Sequence, residues 1–424
     1  MKILVLNCGS SSLKYSLIEL PEYRVITSGI EERVGTAESF IKFTTPAGKK
    51  IVESVYIPDH TRGVEIILDV LTRPEVGHIA SLSEIEAVGH RLVHGGERIA
   101  SSVLIDETVV ETLRENIPLA PLHNPANIMG IGAAKAVLGQ VPHVGVFDTA
   151  FHQTMPKHAY MYALPYALYE KYGLRRYGFH GTSHDYVSHE AAKMLGVKYD
   201  EVKIVTAHVG SGASISAIDC GKCIDTSMGM TPAEGLVMGT RAGDIDSGVI
   251  EFLLSKQDFD NAEIQEYIQD KAERDTRTSL KPEDVSFLLN KRSGLYGIAC
   301  IGSSDMRDID SAAEKGNEHA KLAADMLGYR VKKYIGAYAA ALGGLDILVF
   351  TAGVGENRSE LRTDACAGLE YMGVKIDESL NHSLARGKAG VISSPDSRVK
   401  VVVIPTDEEY MIAKDTYDIV TKSK

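Results

Sequence analysis

Cysteine is scarce in this 424-residue chain. Cys8, Cys220, Cys223, Cys300 and Cys366 are few, scattered and odd in number, which excludes a disulfide framework and fits a reducing compartment. Cys220 and Cys223 have C-x-x-C spacing, but no second pair accompanies them and a structural zinc site takes four ligands, so the segment reads as a hairpin turn. No apolar run approaches the length of a membrane-spanning helix, and the opening MKILVLNCG lacks the charged-then-apolar layout of a secretory leader. The expected location is the cytoplasm. A basic surplus is missing too: a net charge of −12 argues against a nucleic-acid surface. Any anion site must then be a local gathering of arginine, histidine and backbone amides around a small ligand.

With 44% hydrophobic and 24% charged residues, the chain has an ordinary globular composition and is too long for one small core, so two domains are expected. Two segments about 200 residues apart repeat one device: LVLNCGSSSLKYSLIEL near the start, and IVTAHVGSGASISAIDCGKCIDTS from Ile204. In each, a β-branched strand enters a Gly/Ser turn and leaves as a second alternating strand, the pattern of a β-hairpin. Small residues leave amide N–H groups uncovered for an anion. Two such turns imply an internal duplication that grips a polyphosphate, and hence nucleotide-dependent phosphoryl transfer.

Strands are expected at Ile3–Leu6, Leu13–Leu20, Arg24–Glu32, Phe40–Thr44, Ile85–Val93 and His143–Phe147. Helices are expected near Arg62–Leu71, Glu107–Asn116, Pro125–Leu138, Tyr166–Tyr172, Ser183–Leu195 and Ser311–Leu342. Ile250–Leu289 reads as polar and helical, and its charged stretch Asp258–Leu280 as a solvated excursion. LDILVFTAGVGENRSELR reads as strand, Gly turn and helix start, and the final helix has Thr406 as its N-cap. Strand–turn–helix units alternating with hairpins give an α/β fold. The expected domains are 1–150 with about 406–424, and 151–405.

Polar residues at strand ends are the candidate site, since open α/β sheets keep their chemistry there. Asn7, Gly9, Ser10, Ser11, Ser12 and Lys14 form the first turn, and His208, Val209, Gly210, Ser211 and Gly212 the second. Gly353, Val354, Gly355, Glu356 and Asn357 form a third loop placed to receive a nucleoside. Arg91 ends a buried strand and Arg241 lies in a glycine-rich loop; a planar guanidinium holds a carboxylate or phosphoryl group with two parallel hydrogen bonds. Asp148 follows the strand VGVF, where it can fix an arginine or accept a proton. His123 and His180 sit among loop formers, where an imidazolium offsets developing phosphoryl charge. Glu408 and Glu409 fall in a first helical turn as candidate magnesium ligands.

NCGSSSLKY, GHRLVHGGE, PLHNP, FDTAFHQTMP, RRYGFHGTSH, HVGSGAS, MGMTPAEGLVMGTRAGDID and AGVGEN, in this order over nearly the whole chain, resemble the acetate kinase family. The resemblance implies the fold of the actin-like, sugar-kinase and heat-shock-chaperone ATPase superfamily: two duplicated, ribonuclease H-like α/β domains with an active-site cleft between them, as a homodimer. It implies reversible transfer of the ATP γ-phosphoryl to acetate, giving acetyl phosphate and ADP. Mg²⁺, or Mn²⁺ in its place, would be held by Asn7 and Glu408. ATP would be held by Lys14, the loop His208 to Gly212, Asp305, Met306, Arg307 and the segment Gly353 to Asn357. Arg91 would bind the carboxylate, with Val93, Leu122, Phe179 and Pro232 around its methyl group. Asp148 would be the active-site carboxylate, His180 and Arg241 would stabilise the transition state, and His123 would stand close by. Ser211 stands where the family usually has Asn, and the 258–280 segment is longer than usual. Propionate or butyrate kinase, and a non-metabolic actin-like ATPase, are the alternatives.

Overall fold

The computed structural model describes residues 1–9, 11–74, 76–121 and 123–422. It divides into two units: Met1–Gln153 with Phe179–Tyr186 and the segment from Asp407, and Thr154–Gly178 with Val187–Thr406. Strands are numbered in chain order: β1 (Lys2–Cys8), β2 (Ser12–Glu19), β3 (Arg24–Glu32), β4 (Phe40–Thr44), β5 (Lys50–Ser54), β6 (Ala87–Leu92), β7 (Val103–Leu104) and β8 (His143–Phe147) in the first unit, then β9 (Lys203–Val209), β10 (Ala213–Asp219), β11 (Lys222–Thr226), β12 (Ile347–Thr351), β13 (Gly390–Val391) and β14 (Lys400–Val403) in the second.

The first sheet has the order β5-β4-β3-β2-β1-β6-β8-β7 and the second β11-β10-β9-β12-β14-β13. In the first, β1 pairs antiparallel with β2 and parallel with β6, and β6 pairs parallel with β8. In the second, β9 pairs antiparallel with β10 and parallel with β12, and β12 pairs parallel with β14. The same five-strand plan occurs twice, so the duplication read from the hairpins holds at the level of whole sheets.

Alternation along β1 decides what each face does. Leu4, Leu6 and Cys8 enter one core with Val64, Ile67 and Leu71 of the helix His60–Thr72. Ile3 and Val5 enter the other, with Ile412, Ala413 and Val420 of the helix Glu408–Lys422. Asn7 continues the odd series, which puts it on the face covered by the C-terminal helix. In the second unit the helix Glu318–Ala341, capped by the Asn317 side chain, packs on β9 and β10.

Three local expectations need correction. Asp407, not Thr406, accepts from the Tyr410 amide at 2.9 Å and caps the final helix, because an Asp carboxylate three residues back reaches that N–H directly. Residues 352–357 are not a loop but a short helix, Ala352–Asn357, directly after β12. The 258–280 stretch is not only solvated: Ile264, Ile268 and Leu280 bury with Val285 in a small core of their own, and regular helix is confined to short pieces such as Ser247–Ser255 and Asn261–Ile264. The helices expected over Ser311–Leu342 are Met306–Glu314 and Glu318–Ala341, with Gly316 at positive φ between them. The C-x-x-C segment is the expected hairpin: β10 and β11 are joined through Cys220 and Gly221, both at positive φ, and none of the five cysteines forms a disulfide among the described residues.

Glu31 makes one consequence testable. It is fully buried in the first core and, among the described residues, neither carboxylate oxygen has a hydrogen-bond partner, so burial pushes its carboxyl up to about 8. The folded chain then keeps a proton that the unfolded chain, with a glutamate near 4.5, has released. The stability that this one group contributes is fully present below that lower value, is lost as pH rises towards about 8, and levels off above. Glu31→Gln is expected to melt with the parent protein at pH 4.5 and progressively above it up to pH 8. Parallel melting curves across that range would contradict this.

Candidate active site

The register sets four polar side chains in a row. Lys14 on β2 pairs with Asn7 on β1, and Asn7 with Arg91 on β6. Arg91 pairs with Val146 on β8, and Asp148 lies two residues further, on the same face. Arg91 donates from Nε to Asp148 Oδ1 at 3.0 Å and from Nη2 to Oδ2 at 2.6 Å, a bidentate clamp, and from Nη1 to Asn7 Oδ1 at 3.2 Å. Burial works against the Arg91 charge, but Asp148 and Glu408 outweigh it and raise its pKa. Burial pushes the Asp148 carboxyl upward against the pull of Arg91. Glu408 and His123 both act electrostatically on Asp148, so six of the expected residues gather at one end of this sheet.

The neighbouring loops are locked by side chains that sequence reading did not single out. Asn127 accepts from the Val93 amide at 3.1 Å and donates to the Cys8 carbonyl at 3.1 Å. Buried Asn124 donates to the carbonyls of His94 and Leu113, so both asparagines near PLHNP are fasteners. His90, beside Arg91, is bound to His143 at 2.9 Å in the core, and burial holds it neutral. His180 has a φ of +57°, a conformation uncommon for non-glycine residues. The Gly181 amide donates to the Asp148 carbonyl at 2.9 Å, and a Cβ at Gly181 would lie 2.3 Å from that oxygen. Glycine is required there, and it sets His180 next to the Asp148 strand end. Val93 and Phe179 are buried in this unit, Pro232 belongs to the other, and Leu122 lies outside the described residues.

Oxygen donors for a hard cation are present as Asn7 and Glu408, whereas Ser16 donates to Glu409 at 2.5 Å. Among the described residues no cluster of three or more His, Cys, Asp or Glu forms a closed cage. One carboxylate and one amide oxygen suit an ion that retains water and takes its other ligands from a phosphate.

In the second unit, a cavity of about 510 Å³ is lined by Gly210 and Ser211, by Asp305, Met306 and Arg307, and by Gly353, Val354 and Asn357. The three expected nucleotide segments thus converge. Asp305 caps the helix Met306–Glu314, and its carboxyl is held at about 2 by the Arg307 side chain and amide. His208 and Val209 are buried, Gly212 closes the turn by accepting from the Gly210 amide, Gly355 is buried, and Glu356 accepts from the Thr406 amide at 3.1 Å. Arg358, in a bidentate pair with Asp310, and Arg386, bonded to Asn357, also line the cavity. The polar run after AGVGEN hinted at Arg358, and nothing in the sequence reading pointed to Arg386.

Arg241 stands apart electrostatically. It is half-buried, it donates to the Pro232 carbonyl at 3.3 Å and reaches the Met238 sulfur at 3.7 Å, and it has no carboxylate partner among the described residues. Burial lowers its pKa from the ordinary arginine value. A guanidinium so placed is short of a counter-charge that an anionic ligand supplies. Its loop is tied to the second hairpin by the Gly239 amide, which donates to the Ser211 carbonyl at 2.8 Å.

A model of the acetokinase family matches residues 2–274 and 274–414. The acetate kinase of Bacteroides fragilis is 54% identical over 422 residues, covering 100% of both chains, and that of Thermotoga maritima 52%, covering 100% of this chain and 99% of its own. The crystal structure of Porphyromonas gingivalis acetate kinase matches with a TM-score of 0.89 at 52% identity, covering 99% of each chain. A propionate kinase from Francisella tularensis matches with a TM-score of 0.85 at 39% identity over the same share. The repeated sheet plan is that of the two-domain actin-like ATPase fold. On a family match spanning almost its whole length and on relatives more than half identical, the chain belongs to the acetokinase family.

Proposed function

We infer that the protein is an acetate kinase, transferring the γ-phosphoryl of ATP to acetate, reversibly, to give acetyl phosphate and ADP by direct in-line displacement. The observation that carries this reading is Arg241: a half-buried guanidinium lacking a carboxylate partner, on a loop bonded to the Gly/Ser turn of the nucleotide cavity. Relatives named acetate kinase, more than half identical over the whole chain, support acetate as acceptor.

The first unit takes the acceptor, the metal and, through Lys14, part of the ATP phosphates, and the second supplies the nucleotide cavity. Acetate is a carboxylate, and so a nucleophile, at neutral pH, which leaves alignment and charge neutralisation to the protein. Arg91 holds the carboxylate, and Asp148 fixes the guanidinium plane. Val93 and Phe179, both buried in the first unit, receive the methyl group. Lys14 and the cavity segments hold ATP. Arg241 and His180 neutralise charge developing on the transferring phosphoryl, with His123 close by. Asn7 and Glu408 would hold Mg²⁺, which when bound neutralises phosphate charge. The same reading carries a cytoplasmic homodimer.

Trapping the product as acyl hydroxamate, with ATP, Mg²⁺ and acetate, propionate or butyrate, tests the acceptor. The propionate kinase neighbour makes propionate the second reading. One methylene in an apolar pocket is worth about 1–3 kcal/mol, so kcat/KM should fall roughly tenfold or more from acetate to propionate and again to butyrate. Equal values would remove the acetate assignment.

A further inference from the structure

The loop that carries Arg241 is anchored by a carboxylate that no motif above explains. Glu234 lies two residues after Pro232, whose carbonyl accepts from Arg241. Its Oε1 accepts from Arg176 Nη2 at 2.5 Å and its Oε2 from the Tyr162 hydroxyl. Both partners lie outside the loop, and both grip its backbone as well. Arg176 Nη1 donates to the carbonyls of Thr226, Ser227 and Met228 at 2.8, 3.0 and 3.2 Å, and the Met230 amide donates to the Tyr162 oxygen at 2.9 Å. At Gly229, a Cβ would lie 1.8 Å from Glu234 Oε2 and 2.2 Å from the Tyr162 oxygen, so the chain passes directly over the anchor. Beyond Glu234, the Gly235 amide donates to Asp244 Oδ1 at 2.9 Å, and Tyr334 donates to Oδ2 at 2.7 Å, which closes the loop.

We propose that Glu234, held between Tyr162 and Arg176, is a positioning residue that sets the Pro232 carbonyl and, through it, the Arg241 guanidinium. This rests on the reading of Arg241 given above. Both Glu234 carboxylate oxygens are taken up by Tyr162 and Arg176. Releasing Glu234 leaves Arg176 with only a longer pair to Asp225, at 4.0 Å, and lets the Pro232–Arg241 contact drift. A displacement of about 1 Å at a catalytic group costs on the order of 100-fold in rate.

The test is a double-mutant cycle on the full-length enzyme, reading kcat and the KM for ATP and for acetate. Glu234→Ala should lower kcat about 100-fold with both KM values within about threefold. Glu234→Gln, which keeps an acceptor oxygen, should recover part of the loss. Glu234→Ala added to Arg241→Ala should lower kcat no further. Should Glu234→Ala fail to fold, Tyr162→Phe removes one anchor bond and should lower kcat several-fold with the same split from KM. Normal kcat in the folded variants, or equal losses with and without Arg241, would overturn the positioning role. Normal kcat in Arg241→Ala would instead strike the underlying reading, and this inference with it.

Discussion

Arg241→Ala is expected to lower kcat by about three orders of magnitude while leaving the fold intact. Removing a preorganised donor from developing charge costs about 10²–10³ in kcat, and an arginine that neutralises a transferring phosphoryl is worth about 10³–10⁵. Arg241 sits where such a loss should be nearly pure. It makes no carboxylate pair among the described residues, and its contacts are one carbonyl and one thioether. Deleting it strands no partner charge, so the melting temperature should change little. The measurement is kcat beside thermal unfolding and the KM for ATP. Lysine in its place should restore only part of the rate, because an ammonium lacks the planar fork. Near-normal turnover in Arg241→Ala would remove it from the mechanism.

Asp148→Asn should act differently, through binding and stability together. The wild-type carboxylate accepts two parallel hydrogen bonds from Arg91. In the amide, one oxygen becomes an NH₂ facing an N–H, so one bond is lost and two donors oppose each other. Breaking a buried pair by removing one charge costs about 3–5 kcal/mol, because the remaining charge is left uncompensated. Acetate, being an anion, returns part of that compensation. The variant should therefore melt at lower temperature than the parent and regain more stability on adding acetate than the parent does. Its kcat/KM for acetate should fall about 100-fold or more through the misaligned guanidinium. Unchanged melting and unchanged acetate dependence would contradict the clamp.

Much of this site was readable before any coordinates. The rule of strand ends singled out Arg91 and Asp148, the first Gly/Ser turn singled out Asn7, and the paired turns announced the duplication. What escaped was whatever depends on close approach between distant segments. Nothing in the composition around Phe179 marks the return of Phe179–Tyr186 to the first unit, since it hangs on one glycine fitting over the Asp148 carbonyl. The buried members of the 258–280 segment were hidden because Ile264, Ile268 and Leu280 are spaced among many charges. Choosing Asp407 over Thr406 as a cap turns on a single hydrogen bond. Glu234 looked like any loop carboxylate until Arg176 and Tyr162, some sixty to seventy residues away, closed on it.

The central claim is that the chain aligns and neutralises but forms no covalent phosphoryl intermediate, with Asp148 committed to Arg91 and Glu408 left for a cation. Running the reaction with ATP made chiral at the γ-phosphorus by oxygen isotopes, and reading the configuration of the acetyl phosphate, tests this most directly. A single in-line displacement predicts inversion. Retention would require a phosphorylated side chain and would contradict the account.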